Sequence, residues 1–147
     1  MISWTRALRL YLLDPSDLRT WLAGPYVYKP QLPASPGFTM PHRAIVFRGN
    51  GGSASDDLPL HRPTVNFRIY GTSDDDAEVG YRYLHDRLIR KDNLIVTDTY
   101  SDPDQRVGFY NWREITPGQS LEEPQTGWPF FFTVWAPTVS TLAIPTA

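Results

Sequence analysis

The sequence predicts an α+β fold, with a small, mostly antiparallel sheet of about four main strands carrying an N-terminal helix pair and one central helix. An alternating strand runs directly into an amphipathic helix, two further strands are rich in aromatic residues, and short loops favour antiparallel neighbours. We expect one domain over 1–147. Residues 1–24 would hold the N-terminal helices, 44–136 the sheet and central helix, and 137–147 an extended tail.

The central pair of elements is the strand Thr64–Tyr70 and the helix over 73–91. Apolar and polar residues alternate in the strand, which predicts one buried face. Thr72 or Ser73 is placed to cap the helix, and Asp74–Asp76 fall in its first turn, where the helix dipole favours negative charge. The helix then has an apolar stripe at helical spacing. The residues expected to form the core between strand and helix are Val65, Phe67, Ile69, Tyr81, Leu84 and Leu88.

Two short helices are expected before the sheet. Apolar residues from Trp4 to Leu12 recur at helical spacing. Asp14 followed by Pro15 has the pattern of an N-cap with proline at the first helical position, and Gly24 is placed to end that second helix.

The stretch Gly49–Arg62 is predicted to be a mobile loop between two adjacent antiparallel strands, Ala44–Arg48 and Thr64–Tyr70. Its glycines lose much backbone entropy on ordering, and its small residues bury little to offset that loss. The stretch is also longer than the two to five residues of an ordinary hairpin loop. We therefore expect neighbours in an assembly to order it, and its replacement by a two-residue turn to leave the subunit folded.

The second half of the chain supplies the aromatic strands. We expect strands over Arg106–Ile115 and Trp128–Ala136, with apolar side chains on both faces, separated by a loop over Thr116–Gly127. A short strand is expected over Leu94–Val96. The surplus aromatic residues have two readings: they cover a contact with another subunit, or they fill a larger core.

Composition excludes several classes of function. The 147 residues include no cysteine, so neither a disulfide framework nor a thiolate metal site is possible. The formal net charge is −2 with both signs mixed along the chain, which gives no reason to expect a membrane partner or sequence-specific binding to nucleic acid. No apolar run approaches the ~20 residues of a membrane helix.

No catalytic, metal or cofactor site emerges from the motifs. Consecutive aspartates on a helix, as in Asp74–Asp76, point about 100° apart and do not converge on one ion. The loop with Asp98, Asp102 and Asp104 lacks the glycine and glutamate that complete a calcium loop. No serine lies in a G-x-S-x-G turn, and GNGG at Gly49 lacks the lysine of a phosphate-binding loop. We expect a protein that is not an enzyme.

Four stretches together resemble the tail terminator, or tail completion, proteins of long-tailed bacteriophages. They are ALRLYLLD at 7–14, GPYVYKPQLP at 24–33, AIVFRGNGG at 44–52 and VNFRIYGTSDDDAEVGYRYLHDRL at 65–88. In that family an N-terminal helix precedes a small sheet, and a strand ending in a small-residue turn leads into a helix with an alanine after acidic residues, as at Ala77. The resemblance covers roughly Leu8 to Leu88, with a looser likeness in the last aromatic strand.

The resemblance implies a non-enzymatic ring, usually of six subunits. Such a ring caps the last ring of tail-tube protein, stops further polymerisation and presents the surface to which the filled head attaches. The implied partners are further copies of this chain, the tail tube protein and the head–tail connector or neck protein. The implied location is the neck end of the virion tail, with the host cytoplasm during assembly. A head-completion or neck adaptor ring is the alternative within this class, and a small binding module or hydrolase is the alternative outside it.

In a ring, each subunit uses two different patches, and one patch of a subunit contacts the other patch of its neighbour. The ring closes when the repeated rotation from subunit to subunit adds up to a full turn. We expect the polar end of the glycine-rich stretch and the aromatic strands to supply these patches. The residues assigned to this candidate interface are Asn50, Asp56, Asp57, His61, Arg62, Tyr110, Trp112, Phe131 and Trp135.

Overall fold

The computed structural model of the chain describes residues 4–29, 42–54, 60–89, 94–97, 106–124 and 126–140. In these ranges the helices are α1 (Trp4–Leu13), α2 (Asp17–Leu22) and α3 (Asp74–Leu88). The strands are β1 (Val27–Tyr28), β2 (Ala44–Ala54), β3 (Leu60–Tyr70), β4 (Leu94–Thr97), β5 (Arg106–Glu122) and β6 (Pro129–Ser140).

The strands of the described ranges form one six-stranded sheet in the order β1-β2-β3-β6-β5-β4. The pairing of β1 with β2 is parallel, and the other four pairings are antiparallel. Apolar residues of all three helices belong to one buried cluster with alternate residues of the strands, so the helices cover one face of the sheet. The predicted α+β class is confirmed, with more strands than expected. Two of them, β1 and β4, are short edge strands.

The predicted contact between β3 and α3 is confirmed. Val65, Phe67 and Ile69 are buried together with Leu84 and Leu88 in the main cluster. Tyr81 is only half-buried and packs at the edge of that cluster.

The start of α3 follows the predicted capping pattern. The Ser73 hydroxyl accepts the Asp76 N–H at 3.2 Å. Burial raises the pKa of Asp76, but hydrogen bonds from Arg43, Thr72 and Trp21 outweigh it and hold that pKa below its usual value. The Asp76 carboxylate therefore joins the helix start to Arg43 before β2 and to Trp21 of α2. The helix ends at Leu88, with Ile89 as C-cap, before the expected end at residue 91.

The predicted N-cap of α2 is wrong. Ser16, not Asp14, accepts the N–H of Arg19 at 3.2 Å and begins the helix. The Asp14 N–H instead donates to the Tyr11 carbonyl at 3.2 Å, so Asp14 still belongs to the last turn of α1. At the other end Ala23 takes the left-handed conformation, with φ of 57°.

The predicted mobile loop over Gly49–Arg62 is wrong for its described residues. The strand β2 continues to Ala54 and stays paired with β3 as far as Ala54 opposite His61, with a bulge between Asn50 and Gly52. Glycine at position 49 makes room for Trp4, because a Cβ there would lie 2.5 Å from the Trp4 ring and the ring would have to move. Replacing this stretch by a tight turn would therefore remove paired strands. Residues 55–59 lie outside the described ranges.

Two further predicted boundaries are wrong. The strand β5 runs through Pro117 and Gly118 to Glu122, where a loop was expected, because register shifts between Glu114 and Gln119 admit a proline without breaking the ladder. The strand β6 continues from Ala136 to Ser140, so part of the predicted tail is sheet. Residues 141–147 lie outside the described ranges.

Candidate assembly surfaces

The face of the sheet opposite the helices is termed the open face. Side chains alternate along a strand, so the residues between the buried core positions of β2, β3 and β6 point to this face. One end is apolar, where a second buried cluster contains Ala44, Val46, Tyr70 and Phe130. The other end is mostly polar. Its residues include Arg48, Asn50, Arg62, Thr64, Asn66, Val134, Ala136 and Thr138, with Arg113 opposite Ala136.

Arginines give the polar end of the open face a positive charge. Arg48, Arg62 and Arg113 are exposed, and none has an ion-pair partner in the described parts of the chain. Arg68, nearer the apolar end, differs because it pairs with Glu123 at 3.5 Å and lies over the ring of Phe130. Three guanidinium groups are thus left without a counter-charge on one surface.

Two of these arginines share a cavity of about 430 Å³, termed the basic cavity. It lies where β5 bulges between Tyr110 and Arg113. Asn111 takes a left-handed conformation there, with φ of 53°, which a short polar side chain tolerates better than most. The bulge places Arg113 beside Arg62 of β3. The lining residues are Arg62, Asn111, Trp112, Arg113, Ala136, Pro137 and Thr138.

The helical layer exposes several carboxylates that have no ion-pair partner within the described ranges. Asp14, Asp17, Asp75 and Asp86 are exposed and have no ion-pair partner among the described residues. Two of them share a cavity of about 350 Å³ between the start of α2 and the end of α3, termed the acidic cavity. Its lining residues are Pro15, Ser16, Asp17, Leu18, Tyr83, Asp86 and Arg87.

Arg87 does not neutralise the acidic cavity through an ion pair. One of its guanidinium nitrogens donates to the Tyr11 carbonyl at 3.1 Å, and the guanidinium carbon lies 3.9 Å from the centroid of the Tyr11 ring. In return, the Tyr11 hydroxyl donates to the Arg87 carbonyl at 2.8 Å. These contacts join α1 to α3, and among the described residues they leave Asp17 and Asp86 without an ion-pair partner.

A polar cluster centred on Glu114 was missed by the sequence reasoning. Its Oε2 accepts hydrogen bonds from the hydroxyls of Tyr81, at 2.6 Å, and Thr133, at 2.8 Å. The Nε2 of His85 lies 4.0 Å from Oε1. The spacing of Tyr81 and His85 on the helix is visible in the sequence, but their meeting with Glu114 and Thr133 depends on the register of β5 and β6.

The Glu114 cluster fixes α3 on the sheet. Burial raises the pKa of Tyr81 to about 12, and its hydrogen bond to Glu114 acts in the same direction. The phenol therefore stays protonated at neutral pH and remains a donor to the carboxylate. The Tyr81 ring also stacks on Phe131, with centroids 5.5 Å apart. Thr133 is fully buried, and its Oγ1 also lies 2.9 Å from the Thr116 carbonyl oxygen, so its one hydroxyl proton is shared between that carbonyl and Glu114. The cluster therefore spans β5, β6 and α3.

In the structure, some of the nine predicted interface residues are buried in the core and others are accessible at the surface. Phe131 and Trp135 belong to the core, with exposures of 9% and 0%, so the larger-core interpretation is favoured for them. Trp112 is also a core residue, at 5% exposure, but it lines the basic cavity as well. The remaining described residues of the set are accessible: Asn50, His61 and Arg62 are exposed and Tyr110 is half-buried. The structure brings Arg62 and Trp112 together at the basic cavity. Asp56 and Asp57 lie outside the described ranges.

Within the described ranges, no group of three or more His, Asp or Glu side chains is placed to hold a metal ion. No helix in those ranges is long and apolar enough to cross a membrane. No protein-family model matches the chain, and no curated protein matches it.

Proposed function

We propose that this chain is a structural virion protein, a phage tail terminator. In this proposal copies of the chain form a ring, usually of six, that caps the tail tube, stops its polymerisation and provides the surface to which the head attaches. The tail tube protein and the head–tail connector are its partners, and it acts without a cofactor.

One observation carries the proposal: two cavities on different elements of one subunit are lined by side chains of opposite charge, Asp17 and Asp86 in one and Arg62 and Arg113 in the other, and none of these four has an ion-pair partner among the described residues. The basic cavity is formed by strands and the acidic cavity by helices. A head-to-tail contact uses two different patches of each subunit. It generates a ring when the rotation that relates neighbouring subunits returns to the first subunit. Complementary charge favours correct pairing and fixes register. The α+β fold, with a helix directly after the central strand, also agrees with the family that the sequence resembles.

Sedimentation velocity of the purified chain at low salt, with native mass spectrometry of the same samples, tests the ring. The expected result is a concentration-dependent shift from the monomer to one closed species of six subunits. A second expected feature is that no larger species accumulates, because a closed ring has no free patches. A series of ever longer oligomers would show an open filament, and a monomer at every concentration would count against a self-assembled ring.

A further inference from the structure

We propose that the basic cavity is a socket for carboxylates supplied by the acidic cavity of the neighbouring copy of this chain. The proposal rests on the proposed function, because it names the two patches that meet in the ring. It identifies Arg62 and Arg113 as the receiving groups and Asp17 and Asp86 as the groups received.

The basic cavity has the chemistry of a carboxylate site. Arg62 and Arg113 reach it from different strands, and neither has an ion-pair partner in the described structure. A guanidinium presents planar N–H donors that match the two oxygens of a carboxylate. Trp112 lines the cavity too, and its buried Nε1–H has no acceptor in the described structure. The open face near the cavity also carries Arg48, which adds positive potential without belonging to the socket.

The acidic cavity has the matching property. Asp17 and Asp86 lie on α2 and α3, and both are exposed and have no ion-pair partner within the described ranges. The basic cavity is built from residues of β3, β5 and β6, so the two cavities share no element. The carboxylates are therefore available to a second copy.

Charge also selects the geometry of the contact. A two-fold contact that placed either cavity against its own copy would oppose arginine to arginine or aspartate to aspartate. Such like-charge contacts are strongly unfavourable, whereas a contact between the two different cavities pairs opposite charges. The same groups that attract the neighbour thus oppose that kind of two-fold dimer, and a head-to-tail contact between the two cavities continues around a ring.

Charge reversal of each patch, separately and in mixture, tests the socket. One variant carries Arg62→Glu and Arg113→Glu, and the other carries Asp17→Lys and Asp86→Lys. Each variant alone would oppose like charges at every contact, so we expect its self-association constant to fall roughly a hundredfold. An equimolar mixture restores an attractive pair at every contact of an alternating ring, so association should return.

Matched controls use charges outside the two cavities. Arg48→Glu lies on the open face and Asp75→Lys on α3, and both residues are exposed and have no ion-pair partner in the part of the chain that the structure describes. Neither control should weaken association by more than about threefold, since a peripheral charge contributes little. Circular dichroism of every variant checks that the fold is retained, and 1 M salt should weaken the wild-type contact by screening.

The possible results of these association measurements test the socket and the ring separately. Single-patch variants that associate like the wild type would overturn the socket and leave a ring built on other surfaces. Failure of the mixture to restore association would overturn the pairing of these two patches. A wild type that stays monomeric would remove both the socket and the self-assembled ring. Association through the socket into open filaments would retain the socket and count against a terminator.

Discussion

Leu84→Asp is expected to destabilise the subunit more than any surface change. Leu84 is 0% exposed and lies in the cluster between α3 and the sheet. An unpaired carboxylate there costs several kcal/mol, whether it stays charged or takes up a proton to avoid the charge. For a domain of this size each kcal/mol lowers the melting temperature by about 2–4 °C, so we expect a decrease of roughly 10 °C or more. Thermal unfolding followed by circular dichroism measures it.

The matched control is Val79→Asp on the same helix. Val79 is 40% exposed, so an aspartate there keeps its water and should shift the melting temperature by only a few degrees. A Leu84→Asp variant that melts within a few degrees of the wild type would remove Leu84 from the core. If the melting temperature fell equally far in both variants, the low helix propensity of aspartate, and not the burial of Leu84, would explain the decrease.

Trp135→Ala is expected to have the second large effect on subunit stability. The result shows whether Trp135, on the aromatic strand β6, belongs to the subunit core or to a subunit contact. Trp135 is fully buried, and its ring makes edge contacts with His85 at 5.5 Å and Trp112 at 6.4 Å. Truncating a buried tryptophan costs about 3–5 kcal/mol, because transfer free energy is lost and a cavity remains. The free energy of unfolding of the subunit should fall by that amount in urea titration.

Trp135→Phe serves as its control. The Nε1–H of Trp135 is buried and has no acceptor among the described residues, so phenylalanine keeps an aromatic ring and removes that donor. We expect a loss of less than about 1.5 kcal/mol for this exchange. Unchanged subunit stability in Trp135→Ala, with association alone weakened, would place Trp135 at a subunit contact after all.

The sequence predicts those elements whose signals are local. The alternation in β3, the cap at Ser73 and the stripe of α3 all describe contacts within a few residues, and they locate the helix and its buried face correctly. Strand ends were less predictable. Glycines 49, 51 and 52 look like a mobile loop because glycine has a large entropy loss on ordering. In the structure β3 supplies hydrogen bonds to this stretch, and Gly49 makes room for Trp4.

The candidate surfaces were predicted only in part. Periodicity shows that β6 has apolar residues on both faces, but it does not show that Phe131 and Trp135 face the helices. The basic cavity depends on the bulge at Asn111, which brings Arg113 beside an arginine 51 positions earlier in the chain. The Glu114 cluster likewise depends on strand register. None of these pairings has a signal in a single sequence, because each joins residues far apart in the chain.

Tail length in virions made without this chain tests the proposed terminator most directly. Cells that produce the phage with the gene for this chain deleted are lysed, and tails are measured by negative-stain electron microscopy. A terminator predicts tubes that continue past the normal length and carry no head, with normal tails restored when the chain is supplied from a plasmid. Tails of normal length detached from heads would instead indicate a neck adaptor. Normal infectious particles would contradict both structural roles.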